Sequence, residues 1–129
     1  MVEKIGFNMQ NIFKLADIEK GCFGKDAWSI SALRGEFCNE FSHFFGAVEN
    51  AEIVGYVCVR IMCEEAQICN ICVLDKHRRQ GHASALLAQV AEFAKENGCE
   101  RCELEVNTAN TPATSYPHFL YNSTAGVFA

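Results

Sequence analysis

Proline is nearly missing from this chain: two occur in 129 residues, and no stretch is dominated by proline, glycine or serine. That excludes a polyproline or collagen-like rod and leaves no low-complexity linker at which to divide the chain. Long apolar runs are missing as well. All are interrupted well short of a bilayer span, and Met1-Val2-Glu3-Lys4 opens without the apolar core of a signal peptide. The expected location is the cytoplasm, with no membrane partner. Positive charge is in deficit: the formal net charge is −5, which argues against direct nucleic-acid binding, because phosphate neutralisation supplies most of that affinity. A basic protein tail remains admissible as a partner. There is no internal repeat. What remains is an ordinary globular composition, 50% hydrophobic and 21% charged. The length fits one domain, residues 1–129, able to bury roughly two-thirds of its unfolded surface.

Cysteine is abundant. Eight in a chain this short would suggest a disulfide framework in a secreted protein, but nothing directs secretion. Cys69-x-x-Cys72 and Cys99-x-x-Cys102 form the paired pattern that zinc sites use. In a regular strand, residues three apart point to opposite faces, so Cys69 and Cys72 converge on a metal only if that strand is broken. Neither pair has a glycine-rich knuckle, and cysteine is otherwise a small, commonly buried hydrophobe. The expectation is buried thiols and no metal.

Taken in order, Lys4-Ile5-Gly6-Phe7 reads as a short edge strand. A helix follows with Ile12, Leu15, Ile18 and Cys22 on one side. A second begins after Ser29, a good N-cap, and carries Ile30, Leu33 and Phe37. Trp28, between them, either packs a hinge or lines a groove. Residues 41–48 and 52–62 read as strands joined by a hairpin at Glu49-Asn50-Ala51. In the second, Ile53, Gly55, Val57, Val59 and Ile61 alternate with Val54, Tyr56, Cys58, Arg60 and Met62, so both faces are mostly covered. Cys63-Glu64-Glu65 turns the chain into residues 68–74, an apolar run of strand length with no helical stripe. From Ala83 onward, Leu86, Leu87, Val90 and Ala94 continue one helix face, which Gly98 stops. A further strand covers residues 101–106. The strand–helix–strand step from 68 to 106 is expected to be a right-handed parallel crossover. The whole is an α/β fold, a mixed, mostly antiparallel sheet with flanking helices.

The turn Arg78-Arg79-Gln80-Gly81-His82-Ala83 lies between that strand and that helix. A basic, glycine-containing turn at a helix N-terminus offers backbone N–H groups, the positive end of the dipole and room for close approach, which together suit a phosphate. Arg78-x-x-Gly81-x-Ala83 resembles the pyrophosphate-binding signature of the GNAT acyltransferases. The resemblance runs from the first helix to about Ser115. Asp17-Ile18-Glu19 with Cys22-Phe23, Ala27-Trp28-Ser29, Ile53-Val54-Gly55-Tyr56, Asn70-Ile71-Cys72-Val73, Leu104-Glu105-Val106 and Asn107-Thr108-Ala109-Asn110 are similar to landmarks of the ribosomal-protein-alanine N-acetyltransferase (RimI-like) branch. The resemblance implies a GNAT fold in which two parallel strands splay and acetyl-CoA lays its pantetheine arm against the earlier one. Here that strand offers Ile71, Cys72 and Val73, whose N–H groups would also hold the thioester oxygen. It further implies a pyrophosphate site from Arg78 through Arg79, Gln80, Gly81, His82 and Ala83 to Ser84, with Asn110 as another cofactor contact. The loop joining the first two helices is implied to border the acceptor, a protein N-terminal amine such as the N-terminal alanine of a ribosomal protein.

An α-amino group has a pKa of about 8 and is largely protonated at neutral pH, so a carboxylate is needed near the splayed strands. Glu103 and Glu105 share a strand face, and either could be a solvated surface group. Glu105 matches the glutamate of the family's Leu-Glu-Val motif, which implies a general base acting through water. Where the family continues with Leu-Tyr, Gly-Phe and a final hairpin, this chain reads Ser115-Tyr116-Pro117-His118-Phe119. Tyr116, one position early, becomes the implied general acid, with Tyr121 behind it, and Pro117 kinks any helix there. The tail is read as truncated or altered and its final strands as incomplete, with residues for one short strand. That leaves the edge of 101–106 uncovered, for the tail itself or for pairing across a homodimer. Two alternatives to the acetyltransferase stay open: a catalytically impaired acyl-CoA-binding remnant and a zinc-binding interaction module.

Overall fold

Side-chain caps fix where the first two helices begin. Asn11 N–H donates to Asn8 Oδ1 at 2.7 Å, and Ala32 N–H donates to Ser29 Oγ at 3.0 Å. The computed structural model describes residues 1–104 together with the backbone strands at 120–122 and 126–128. Its elements run β1 (Val2–Ile5), α1 (Met9–Phe23), α2 (Ile30–Phe37), β2 (Ser42–Glu49), β3 (Glu52–Met62), β4 (Glu65–Val73), α3 (His82–Glu96), β5 (Arg101–Leu104), β6 (Leu120–Asn122) and β7 (Gly126–Phe128). Single 3-10 turns lie at Gly24–Asp26 and Asp75–His77. Among the described residues, no helix is long and apolar enough to cross a membrane.

The described strands form one seven-stranded sheet in the order of the chain. Every described neighbouring pair is antiparallel except β4 with β5, the expected parallel crossover. The first strand lies two residues earlier than its sequence suggests: Val2 to Ile5 pair with Ala47 to Phe44, and Asn8 takes up capping, which leaves Phe7 exposed. β4 likewise begins at Glu65 and not at 68. The tail differs most from expectation. It supplies two three-residue strands where one was expected, and β6 pairs Asn122, Tyr121 and Leu120 with Arg101, Cys102 and Glu103. The edge of β5 is thus covered by the chain's own tail, one of the two coverings expected for it.

A core lies on each face of the sheet. Leu86, Leu87, Val90, Ala91 and Ala94 of α3 pack against Val57, Val59, Ile68, Ile71 and Val73. Ile12, Leu15 and Ile18 of α1 and Leu33 of α2 pack against Phe44, Tyr56, Cys58 and Cys72 on the other side. Two bulges set which residues reach which face. Ala47 pairs with Gly55 and Val48 with Ile53, so Val54 is an extra residue in β3 and faces α3 beside Val57, while Ile53 joins the α1 side. Cys58 pairs with Asn70 and Val59 with Ile68, so Cys69 is the extra residue of β4. That break puts Cys69 and Cys72 on the same, α1-facing side, contrary to the alternation of an unbroken strand. Cys99 and Cys102 lie in the opposite core, where burial pushes the Cys102 thiol up to about 12. The sheet therefore separates the two Cys-x-x-Cys pairs. Among the described residues no three His, Cys, Asp or Glu side chains gather as a metal would require.

Candidate active site

The turn into α3 has the backbone that its glycine suggested. Gly81 is the N-cap, at φ 82° and with no side-chain cap, and Arg79 is also left-handed at φ 62°. A Cβ on Gly81 would meet nothing within 4 Å, so the position requires glycine for its φ, and the space above the turn is open to a ligand. Such a glycine-capped helix start fits a pyrophosphate, with the N-terminal turn of His82, Ala83 and Ser84 carrying the dipole. Arg78 is folded back from it. Its Nε donates to Val73 O at 3.0 Å and its Nη1 to Asp75 Oδ1 at 3.0 Å, tying the turn to the end of β4. His82 Nε2 and His77 Nδ1 lie 2.9 and 3.0 Å from one oxygen of Glu49 at the end of β2, and this pair of imidazoles holds the Glu49 carboxyl below its usual range. The β2–β3 hairpin is thereby pinned to the turn. Arg79 and Gln80 remain exposed.

The parallel ladder joins Glu65 through Ile68 to Arg101 through Leu104, and residues 69–73 then run on past the described end of β5. The bulge at Cys69 follows the last described pair of this ladder, and its extra residue bends β4. Leu74 N–H donates to Val54 O at 2.9 Å. By antiparallel alternation, Cys72, opposite Tyr56, turns its backbone groups toward β3, while Ile71 and Val73 turn theirs away from β3. Ile71, Cys72 and Val73 are all buried. Val73 O accepts from Arg78 Nε and, at 3.4 Å, from Cys22 Sγ of α1. Gly55 allows β3 to lie this close, since a Cβ there would come within 2.7 Å of Cys72 O.

Against β3 and β4 lies a carboxylate that sequence reasoning passed over. Glu19 of α1 is fully buried. Its Oε1 accepts from Tyr56 Oη of β3 and from Asn70 Nδ2 of β4, and its Oε2 accepts from Trp28 N–H at 3.2 Å. Burial raises the Glu19 carboxyl above its usual range, against hydrogen bonds from Tyr56, Trp28 and Asn70 that pull it down. Asn70 Oδ1 in turn accepts from Ile71 N–H at 3.1 Å. Glu19, Trp28, Tyr56 and Asn70 each lie in a segment that marked the family resemblance, and that was the available signal; their convergence was not visible. Trp28 packs against the α1-side core and also borders a groove of about 480 Å³ with Phe13, Asp17, Lys20 and Ile30. Glu103 is exposed on β5, opposite Gln67 and one pair before the described end of the ladder. Glu105, Asn110 and Tyr116 lie outside the described residues.

Residues 10–119 match the acetyltransferase (GNAT) family. A Bacillus subtilis protein whose name assigns it, provisionally, ribosomal protein bS18-alanine N-acetyltransferase activity is 27% identical over 106 residues, covering 81% of this chain and 70% of its own length. The ribosomal protein bS18-alanine N-acetyltransferase of Haemophilus influenzae is 25% identical over 95 residues, 74% of this chain and 64% of that protein. The crystal structure of the ribosomal-protein-S18-alanine N-acetyltransferase from Escherichia coli superposes with a TM-score of 0.75 at 22% identity, over 89% of this chain and 73% of that one.

Proposed function

Because this chain belongs to the GNAT family of acetyltransferases, enzymes that take their acetyl group from acetyl-CoA, we propose that it acetylates a protein N-terminal amine, the N-terminal alanine of a ribosomal protein. The names of its relatives in Bacillus subtilis and Haemophilus influenzae support that acceptor, which would also make the cytoplasm its working compartment. The observation that carries the reading is the continuous path from the end of β4, past the described ladder with β5, through the basic turn to the glycine-capped start of α3. Residues 1–129 then form one catalytic domain.

In this reading the turn from Arg78 to Ser84 holds the pyrophosphate on backbone N–H groups, and Ile71 to Val73 lie along the pantetheine, with Asn110 beside it. The Val73 amide, which by strand alternation turns away from β3, donates to the thioester oxygen as negative charge develops there. Glu105 takes the proton of the attacking amine through water, and Tyr116 returns one to the departing thiolate. Carbon–nitrogen bond formation and carbon–sulfur cleavage then balance as amide plus free thiol. Calorimetry with acetyl-CoA tests donor binding. Incubation with acetyl-CoA and peptides differing only in their first residue tests the acceptor, an alanine-first peptide being expected to gain one acetyl group fastest. Binding without transfer to any peptide would favour the acyl-CoA-binding remnant, and no binding would refute the family activity for this chain.

A further inference from the structure

The turn read as the pyrophosphate site is bounded by two histidines, and one carboxylate oxygen holds both. His77 ends the 3-10 turn that follows β4, and His82 opens α3. His77 Nδ1 lies 3.0 Å and His82 Nε2 2.9 Å from Oε2 of Glu49, the last residue of β2. An ionised carboxylate only accepts, so each ring turns an N–H toward it, His77 from Nδ1 and His82 from Nε2. Between the two rings the backbone is costly to hold. Arg79 is left-handed at φ 62° without being glycine, and Gly81 follows at φ 82°. A turn that binds an anion through backbone N–H groups loses affinity when those groups must first be gathered. Whatever closes the turn in advance therefore contributes to binding.

The anchor is itself well fixed. Glu49 adjoins the Asn50-Ala51 turn, pairs with Glu52 of β3, and follows Val48, whose N–H donates to Met1 O at 2.8 Å. The His82 side chain is only 12% exposed, so its imidazole is turned into the protein and away from the open space above Gly81. Arg78 braces the turn separately, through Val73 O and Asp75. We propose that Glu49 is a positioning residue for the donor: it closes the pyrophosphate turn by taking an N–H from each end, and so sets the turn's backbone before acetyl-CoA arrives. This rests on the acetyl-transfer reading above. The geometry and the charge of Glu49 act in opposite directions, which gives a test by sign. The imidazoles, His82 foremost, hold its carboxyl below the usual range, so it is negative at neutral pH beside a site for an anion. As a charge alone, its removal would tighten donor binding. As a clamp, its removal weakens it.

The test needs no acceptor. Calorimetry with acetyl-CoA, and competition by S-acetylpantetheine, which lacks the pyrophosphate and the nucleotide, read the two parts of the donor separately. Glu49→Ala is expected to weaken acetyl-CoA about tenfold and to leave S-acetylpantetheine within about twofold. Glu49→Gln, whose oxygen still accepts from both rings, should keep acetyl-CoA within about threefold of the parent. In a His77→Ala/His82→Ala background, already weakened, adding Glu49→Ala should cost less than about twofold more, because the carboxylate acts through those rings. Unchanged or tighter acetyl-CoA binding in Glu49→Ala would overturn the proposal. Equal losses for both ligands would do so too, since general damage to the hairpin produces them, and so would a full further loss in the double-histidine background. Should Glu49→Ala fail to fold, His82→Ala takes one donor from the same oxygen. A smaller loss confined to acetyl-CoA is then expected, and no loss, or an equal loss for both ligands, overturns the proposal. Failure of the parent protein to bind acetyl-CoA would instead refute the proposed function itself, and with it this inference.

Discussion

Glu36 and Glu19 are both buried carboxylates, and they respond to pH in opposite senses. Glu36 accepts from Arg60 Nε at 2.9 Å and from Arg60 Nη2 at 2.6 Å, and also from Ser42 Oγ, so Arg60 chiefly holds its carboxyl below the usual range. A lowered native pKa means that its contribution is present above the unfolded value of about 4.3 and is lost as pH falls through the native value. Glu19 has no cation among its hydrogen-bond partners, and burial raises it. Its contribution is complete below about pH 4.3 and declines as pH rises through its native pKa, because folding then has to bury a charge. Denaturant unfolding across pH is therefore expected to show Glu36→Gln losing about 1–2 kcal/mol at neutral pH and part of the acid sensitivity of the parent. Glu19→Gln should remove a decline on the way up to neutrality. Parallel stability–pH curves for parent and either variant would contradict the assignment. Neither role was legible in the sequence, since the partners of Glu19 lie 9, 37 and 51 residues away and the cation that holds Glu36 lies 24 away. A single chain read without contacts shows charged residues on helices and nothing of what they meet.

At the scale of elements the sequence was far more readable, because periodicity and caps are local. The buried stripe Leu86, Leu87, Val90 and Ala94, the cap at Ser29 and the hairpin between β2 and β3 stand where they were expected. The bulges at Val54 and Cys69 were not legible, since alternation of apolar residues assumes one residue per step and an inserted one reverses it silently. The hairpin turn has both central residues left-handed, Asn50 at φ 51° and Ala51 at φ 66°. Asparagine tolerates this and alanine does not, so Ala51→Gly is expected to stabilise the protein by roughly 0.5–1 kcal/mol, read as a higher denaturation midpoint. The turn into α3 gives the complementary case. Gly81 at φ 82° has open space about it, so Gly81→Asp should fold, with modest strain, while its carboxylate opposes an incoming pyrophosphate. Calorimetry is expected to show acetyl-CoA binding weakened about tenfold or more. Full affinity in the folded variant would remove the turn from the donor site.

Across the whole molecule, the two cores and the sheet could be anticipated from strand–helix–strand alternation, whereas the end of the sheet could not. Three-residue strands fall below the length at which a pattern is distinguishable from chance. Because β6 covers β5, removing residues 120–129 is expected to expose the β5 backbone, lower the melting temperature and produce larger species in sedimentation. Unchanged melting and sedimentation would mean that the covering strand contributes nothing to the fold. The order of the sheet, which is also the order of the chain, has a further consequence, for the time course of synthesis. Each strand after β1 pairs with the strand made just before it, so a chain emerging from the ribosome adds each new strand to an edge already made, and no strand waits on a partner more than one strand ahead of it. A sheet of the same size with interleaved strands must hold early edges open until late ones arrive, which slows folding and invites association. Here a nascent chain that has reached residue 104 already contains every strand that β1 to β4 pair with, and the bulge at Cys69 can take shape before the tail exists.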